Sequence, residues 1–211
     1  MSEQLPDELP IPVDDGAADH LPGSKAPGVE LSSSQGESVR LDQVPGRTAL
    51  FCYPRTGTPG QPMPTGWDAI PGARGCTPQA CGIRDAHAEF TAAGATVFGL
   101  STQSPADQLE AAQRLHLPYP LLSDHDLELA HAWELPTLSV GGLTLLRRMT
   151  IFLRDGIVDG LIYPVFPPDR SADEALAWLR DRPVPAAAPP PRPPVTTRRG
   201  LPHPIPRPRV R

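Results

Sequence analysis

The sequence has no apolar run approaching the roughly 18 residues a membrane-spanning helix needs, so no such span is expected. Its N-terminus has neither a basic n-region nor an apolar h-region; it is acidic and polar (Glu3, Asp7, Glu8, Asp14, Asp15) and does not read as a secretory signal. A net charge of −5 over 211 residues lacks the basic excess that general nucleic-acid binding draws on. With only 3 cysteines there is no disulfide framework. In a chain without a signal, a cysteine pair is more often catalytic or metal-binding than structural, and a reducing, cytoplasmic setting is expected. No internal repeat is present.

What is abundant is proline: 30 residues, far above the usual share of about 5%, and unevenly placed. Residues 182–211 hold eleven prolines and seven arginines and no acid, a basic tail of polyproline II character. Residues 1–26 are polar, aperiodic and rich in Pro, Gly and Asp, and read as a loosely attached, disordered arm. Between them, residues 27–181 read as one globular domain, and 39% hydrophobic content suffices for its core.

Within that domain "VELSSSQGESVRL" suggests two short strands about a glycine turn. Buried strands are expected at 47–53 and 95–101. A helix is expected over 77–93 and another over 104–117, the latter with Ser104 as N-cap, Pro105 at the first helical position and Asp107 behind them. Ser123 and Asp126 repeat that start signal for a helix over 123–133. Strands at 148–153 and 157–163 flank Asp155-Gly156, a pair suited to a type I′ hairpin turn. A last helix, 171–180, opens on a Ser171/Glu174 capping box. Strand, helix, strand, helix, short helix, hairpin, helix is the thioredoxin-like α/β arrangement: a mixed central sheet with helices on both faces.

Two of the cysteines lie in "GCTPQACGIRD" (75–85). Cys76, Ala80, Ile83, His87 and Phe90 are spaced by 4, 3, 4 and 3, one helical stripe facing the sheet. Cys76 stands at its N-terminal end, where free backbone N–H groups and the helix dipole favour a thiolate. It follows a buried strand and so emerges at the carboxyl edge of the sheet, where α/β folds place their chemistry. Cys81 lies about 140° around the helix and about 7.5 Å along it. A disulfide needs convergent side chains and α-carbons within about 7 Å. The two can therefore bond only if the first turns unwind, which Gly82 eases by up to about 1 kcal/mol relative to Ala. The pair suits a switch better than a staple.

The same segment resembles the active site of the atypical two-cysteine peroxiredoxins of the bacterioferritin-comigratory-protein (Q) class, with their C-T-x-x-A-C-x-x-R-D context. "FCYPRTGTPG" (51–60) resembles that family's strand and Pro-x-x-x-Thr-Pro-Gly loop, and "RRMTIFLRDGIV" (147–158) the strand opening with its active-site arginine. The resemblance spans roughly residues 26–180. It implies a thiol-dependent peroxidase acting on hydrogen peroxide and organic hydroperoxides. Cys76 would be the peroxidatic cysteine and Cys81 the resolving one, joined in an intramolecular disulfide recycled by thioredoxin or a similar dithiol. Arg148 and Thr58 would complete the catalytic set, without metal, haem or flavin, in a monomer or homodimer. Adjacent strand residues face opposite sides, so Arg147 competes with Arg148 for the arginine's role.

One departure stands out. In the family the Pro-x-x-x-Thr-Pro-Gly loop runs straight into the peroxidatic cysteine. Here "QPMPTGWDAIPGARG" (61–75) intervenes, and Ala73 occupies the position three before Cys76. Either Thr58 returns to the site or another group, such as Thr65 or an amide near Gly75, replaces its hydroxyl. Trp67 and Ile70 would anchor the insertion over the active-site mouth. Cys52 reads as core and His87 as a hydrogen-bonded core residue. His116, His125 and His131 are scattered, and a lone C-x₄-C is a poor zinc pattern. A thiol-disulfide oxidoreductase would call for C-x-x-C and a proline before the hairpin strand, and "RRMT" has none. A non-enzymatic redox sensor or scaffold would use the same cysteine chemistry.

Overall fold

The computed structural model describes residues 9–183; the first eight residues and most of the proline-rich tail lie outside them. Three strands, β3 (Arg47–Cys52), β4 (Ala95–Ser101) and β5 (Leu121–Ser123), run parallel at the centre of the sheet. Their continuous apolar runs, buried in every residue of β3 and β5, fit a sheet covered on both faces. β8 (Met149–Arg154) adds antiparallel to β3 and β9 (Ile157–Ile162) antiparallel to β8, while β1 (Leu31–Ser33), antiparallel to β5, and β2 (Ser38–Val39), antiparallel to β1, close the far edge. The order β2-β1-β5-β4-β3-β8-β9 is a mixed seven-stranded sheet. The β8–β9 turn is Asp155-Gly156, with φ of 52° and 77°, as a type I′ turn requires.

Strand alternation divides the core. Ala49, Phe51 and Phe152 face α1 (Cys76–Asp85), α2 (His87–Ala92) and α5 (Ser171–Asp181). Leu50, Cys52 and Ile151 face α4 (Glu128–Ala132) and the N-terminal segment. α3 (Pro105–Arg114) buries Ala111 on the first side, and its Ser104 cap accepts from the Asp107 amide at 3.2 Å. A separate hairpin, β6 (Thr137–Val140) and β7 (Leu143–Leu146), turns through Gly141-Gly142. Among the described residues no helix is long and apolar enough to cross a membrane.

Several expectations are corrected. Residues 9–26 are not a loose arm along their whole length: Ala18, Leu21 and Ala26 are buried in the main core. Their backbone is tied to the β8–β9 hairpin: the Gly23 amide donates to the Val158 carbonyl, the Val158 amide to the Ser24 carbonyl, and the Ala26 amide to the Gly156 carbonyl. A polar, aperiodic segment can still insert a few apolar side chains when its backbone groups find partners elsewhere. The 77–93 helix is two helices broken at Ala86 (φ −92°, ψ 4°). The break lets His87 stack on Tyr119, with ring centroids 6.2 Å apart, while Phe90 meets Phe51 edge-on at 5.6 Å. Ser123 ends a strand rather than capping a helix; Asp124 does the capping, accepting from the amides of Leu129 and Ala130. The Ser171/Glu174 capping box is not formed, because Ser171 is already helical and its hydroxyl accepts from Gln79.

Candidate active site

α1 begins at the carboxyl end of the parallel strands with Cys76 as its first residue. Gly75 precedes it at φ 99°, a left-handed turn that suits glycine. No side chain caps this helix and no acid stands in its first turn, so its opening N–H groups remain for a ligand. Cys76 is buried among Tyr53, Ile83 and Phe90.

Arg148 enters from the residue just before β8 and is itself buried, 3% exposed. Its Nη2 donates to Cys76 Sγ at 3.1 Å. The remaining donors are committed: Nη1 to Gln79 Oε1, Nε to the Gly72 carbonyl at 3.3 Å, and Nη2 also to the carbonyls of Ala73 at 3.3 Å and Arg74 at 3.1 Å. Gln79 is held in turn by Ser171, 3.0 Å away, so α5 braces the arginine through α1. Arg147 does not reach the sulfur; it donates to Asp15 at 2.8 Å and to the Tyr163 hydroxyl. The strand alternation that made the two arginines competitors thus puts Arg148 on the sulfur.

Thr58 is not joined to the sulfur. Its hydroxyl makes no hydrogen bond to Cys76, and its carbonyl closes a turn with the Gln61 amide. The 54–58 loop is pinned elsewhere: Thr56 bonds Gln103 through backbone and hydroxyl, and Arg114 donates to the Gly57 carbonyl at 2.8 Å. Thr65 is exposed. Instead, Ala73, buried on the insertion's return, accepts from Cys76 Sγ at 3.7 Å. The insertion has its own small core of Trp67, Ala73, Val140 and Leu145 against the β6–β7 hairpin, with Ile70 packed beside it, so Trp67 and Ile70 do anchor it. An Arg74–Asp68 ion pair ties the middle of the insertion to its return.

Cys81 lies half-buried on the intact second turn of α1, and the cysteines are free. Arg84 and Tyr119 are its charged and polar neighbours, and Tyr119 donates to the Ala80 carbonyl at 3.0 Å. Burial pushes the Tyr53 phenol well above its usual range, and charge on Cys76 adds to it, so Tyr53 stays a neutral donor to Gln108 rather than a base. Burial likewise pushes the Cys52 thiol up, leaving it inert. Among the described residues no cluster of three or more His, Cys, Asp or Glu could hold a metal. Gln79 and Tyr53 were not foreseen; a glutamine three residues after Cys76, on the same helical face, was the available signal for the first.

This is the layout of a thiol-reactive α/β protein: one cysteine on a helix N-terminus beside a buried arginine, with a second cysteine behind it. The redoxin profile matches residues 21–176. Peroxiredoxin Q of Gentiana triflora is 32% identical over 160 residues, 75% of this chain and 66% of that protein, so the chain spans about two thirds of that relative's length. Peroxiredoxin Q of Sedum lineare is 32% identical, covering 75% of this chain and 77% of the relative. Both relatives are described as chloroplastic. The crystal structure of peroxidoxin BcpB from Mycobacterium tuberculosis superposes with a TM-score of 0.62 at 30% identity, covering 78% of this chain and 99% of that one. The chain belongs to the redoxin family, in its peroxiredoxin Q branch.

Proposed function

We propose that the protein is a thiol-dependent peroxidase that reduces hydrogen peroxide and organic hydroperoxides with Cys76 as nucleophile. The observation that carries this reading is the Arg148 guanidinium donating at 3.1 Å to the sulfur of a cysteine that opens a helix. The Cys76 thiolate attacks the terminal peroxide oxygen, the O–O bond breaks, and the leaving oxygen departs as hydroxide or alkoxide that takes a proton. Arg148 meets the charge developing on that oxygen with a donor fixed in advance by Gln79. The product is a Cys76 sulfenic acid and water or an alcohol.

Cys81 sulfur then attacks the sulfenic sulfur and expels its hydroxyl as water, giving a Cys76–Cys81 disulfide. That step requires α1 to unwind between them, because the intact helix holds them apart. A dithiol such as thioredoxin restores both thiols by exchange. Both cysteines belong to one helix of one chain, so the cycle suits a monomer and does not depend on a dimer. A cysteine pair that must be returned to two thiols by an external dithiol suits a reducing compartment such as the cytoplasm. The test is peroxide-dependent oxidation of NADPH through thioredoxin reductase and thioredoxin. Catalytic turnover is expected, whereas a single stoichiometric oxidation with no further cycling would contradict the reading and favour a redox sensor.

A further inference from the structure

A cavity of about 310 Å³ opens beside the buried arginine, and both Arg148 and Gly72 line it. It lies at the lower end of small-molecule sites and is far larger than hydrogen peroxide needs. One wall belongs to the insertion (Ile70, Pro71, Gly72) and another to the loop after β9 (Tyr163, Pro164, Val165). The third is the N-terminal segment Ile11–Val13 with Asp15.

That third wall has two unusual properties. Ile11 and Val13 are 69% and 78% exposed, the most exposed large apolar residues among those described, and both face this one cavity. Apolar side chains gathered at the rim of a cavity mark a contact surface rather than a fold requirement. The segment is also fastened. Asp15 accepts from Arg147 at 2.8 Å and from the Tyr163 hydroxyl at 2.9 Å, and Pro12 lies against Gly72, where an added Cβ would meet it at 3.5 Å.

We propose that the segment Ile11–Asp15 is a working wall of the peroxide site, forming with Ile70, Leu138 and Val165 a subsite for the uncharged apolar group of an aryl or short branched alkyl hydroperoxide. This rests on the peroxidase reading of Cys76. Continuity with the reacting centre comes through Arg148, which lines the cavity and donates to Cys76 Sγ. Gly72 and Arg148 both line the cavity, and the 3.3 Å bond from Arg148 Nε to the Gly72 carbonyl is one of the two longest this guanidinium makes; in the proposal it is the bond that an entering peroxide displaces. The group is uncharged because the charges at the cavity are already matched. Asp15 neutralises Arg147, and Arg148 is committed to the sulfur, so a carboxylate finds no free cation there. The reaction is unchanged in its balance: thiolate plus hydroperoxide gives sulfenic acid plus alkoxide, which is protonated to the alcohol.

The experiment uses the full chain and compares kcat/KM for cumene hydroperoxide with that for hydrogen peroxide. Ile11→Ser/Val13→Ser replaces two exposed side chains, so folding is not at stake. The ratio of cumene hydroperoxide to hydrogen peroxide is expected to fall about tenfold, the scale of losing apolar contacts in a binding pocket. An unchanged or increased ratio overturns the proposal, including the case in which both substrates slow equally. A second readout does not need turnover: in Cys76→Ser, 2-phenyl-2-propanol, the alcohol product, is expected to shift the methyl NMR signals of Ile11 and Val13. No shift at millimolar alcohol overturns it. Failure of the wild type to consume any peroxide would instead sink the peroxidase reading.

Discussion

Two cysteines of this chain are buried, and only one of them meets a cation. Cys52 sits on the opposite face of the sheet from Cys76, in an apolar layer that pushes its thiol up, while Cys76 receives an arginine N–H. The difference comes from one residue of strand phase: Arg148 reaches the sulfur and Arg147 turns to Asp15. Arg148→Lys keeps the charge but loses the planar fork that serves Cys76, Gln79 and the 72–74 carbonyls together. A fall of about 100-fold in kcat/KM for hydrogen peroxide is expected, the scale of removing a fixed donor from a transition state. Steady-state kinetics check it, and a change below about threefold would remove Arg148 from the reaction. Gln79→Ala should cost less, about tenfold, and Gln79→Glu, which retains an acceptor for the arginine, should recover most of that loss.

At the scale of elements, α1 must do two things. It holds Cys76 against Arg148 for the first step and gives way for Cys81 in the second. Its start has no side-chain cap, and Gly82 follows Cys81 directly. A Cβ at Gly82 would meet only the Asp169 carbonyl at 3.7 Å and Ala172 Cβ at 4.0 Å, ordinary contacts, so Gly82→Ala is accommodated. It should stabilise the helix by about 1 kcal/mol and slow disulfide formation about fivefold while leaving sulfenic acid formation alone. Rapid-quench trapping of the sulfenic acid with dimedone separates the two rates; equal rates in wild type and variant would mean that helix unwinding does not limit resolution. Strands β3, β4, β8 and β9 were legible because their apolar runs are long, and α1 was legible as part of one helix that breaks at Ala86. The hairpin β6–β7 and strand β5 were not. Each β6–β7 strand is four residues with exposed positions, and β5 is three residues between Pro120 and the capping Asp124. The serine at its end carried the same local signal as a true N-cap such as Ser104, and only the sheet decides between them.

At the scale of the molecule, the folded body begins earlier than composition suggests. Leu21 is fully buried, Trp133 donates to Ser24, and Lys25 bridges Ile157, so the segment before residue 27 is part of the core. Leu21→Ala should cost about 2–5 kcal/mol in urea unfolding. A cost below about 1 kcal/mol would return the segment to a surface role. The layout of the candidate site was readable in part for the same kind of reason. The placing of Cys76 at a helix start, Cys81 on the next turn and Arg148 beside the sulfur follows helix and strand period. Where the Thr58 loop settles was not readable, because its bonds to Gln103 and Arg114 are long-range choices with no local signature. Leu21 was missed because an isolated leucine between polar residues has no period at all.

The central claim is that Cys76 attacks peroxide and Cys81 resolves it within the same chain. The most direct measurement is the intact mass of the reduced protein after limiting hydrogen peroxide, beside Cys76→Ser and Cys81→Ser. The wild type should lose two hydrogens, Cys81→Ser should gain one oxygen, and Cys76→Ser should stay as it was. A wild type that remains reduced for minutes under excess peroxide, or a Cys76→Ser protein that still oxidises as the wild type does, would contradict the account.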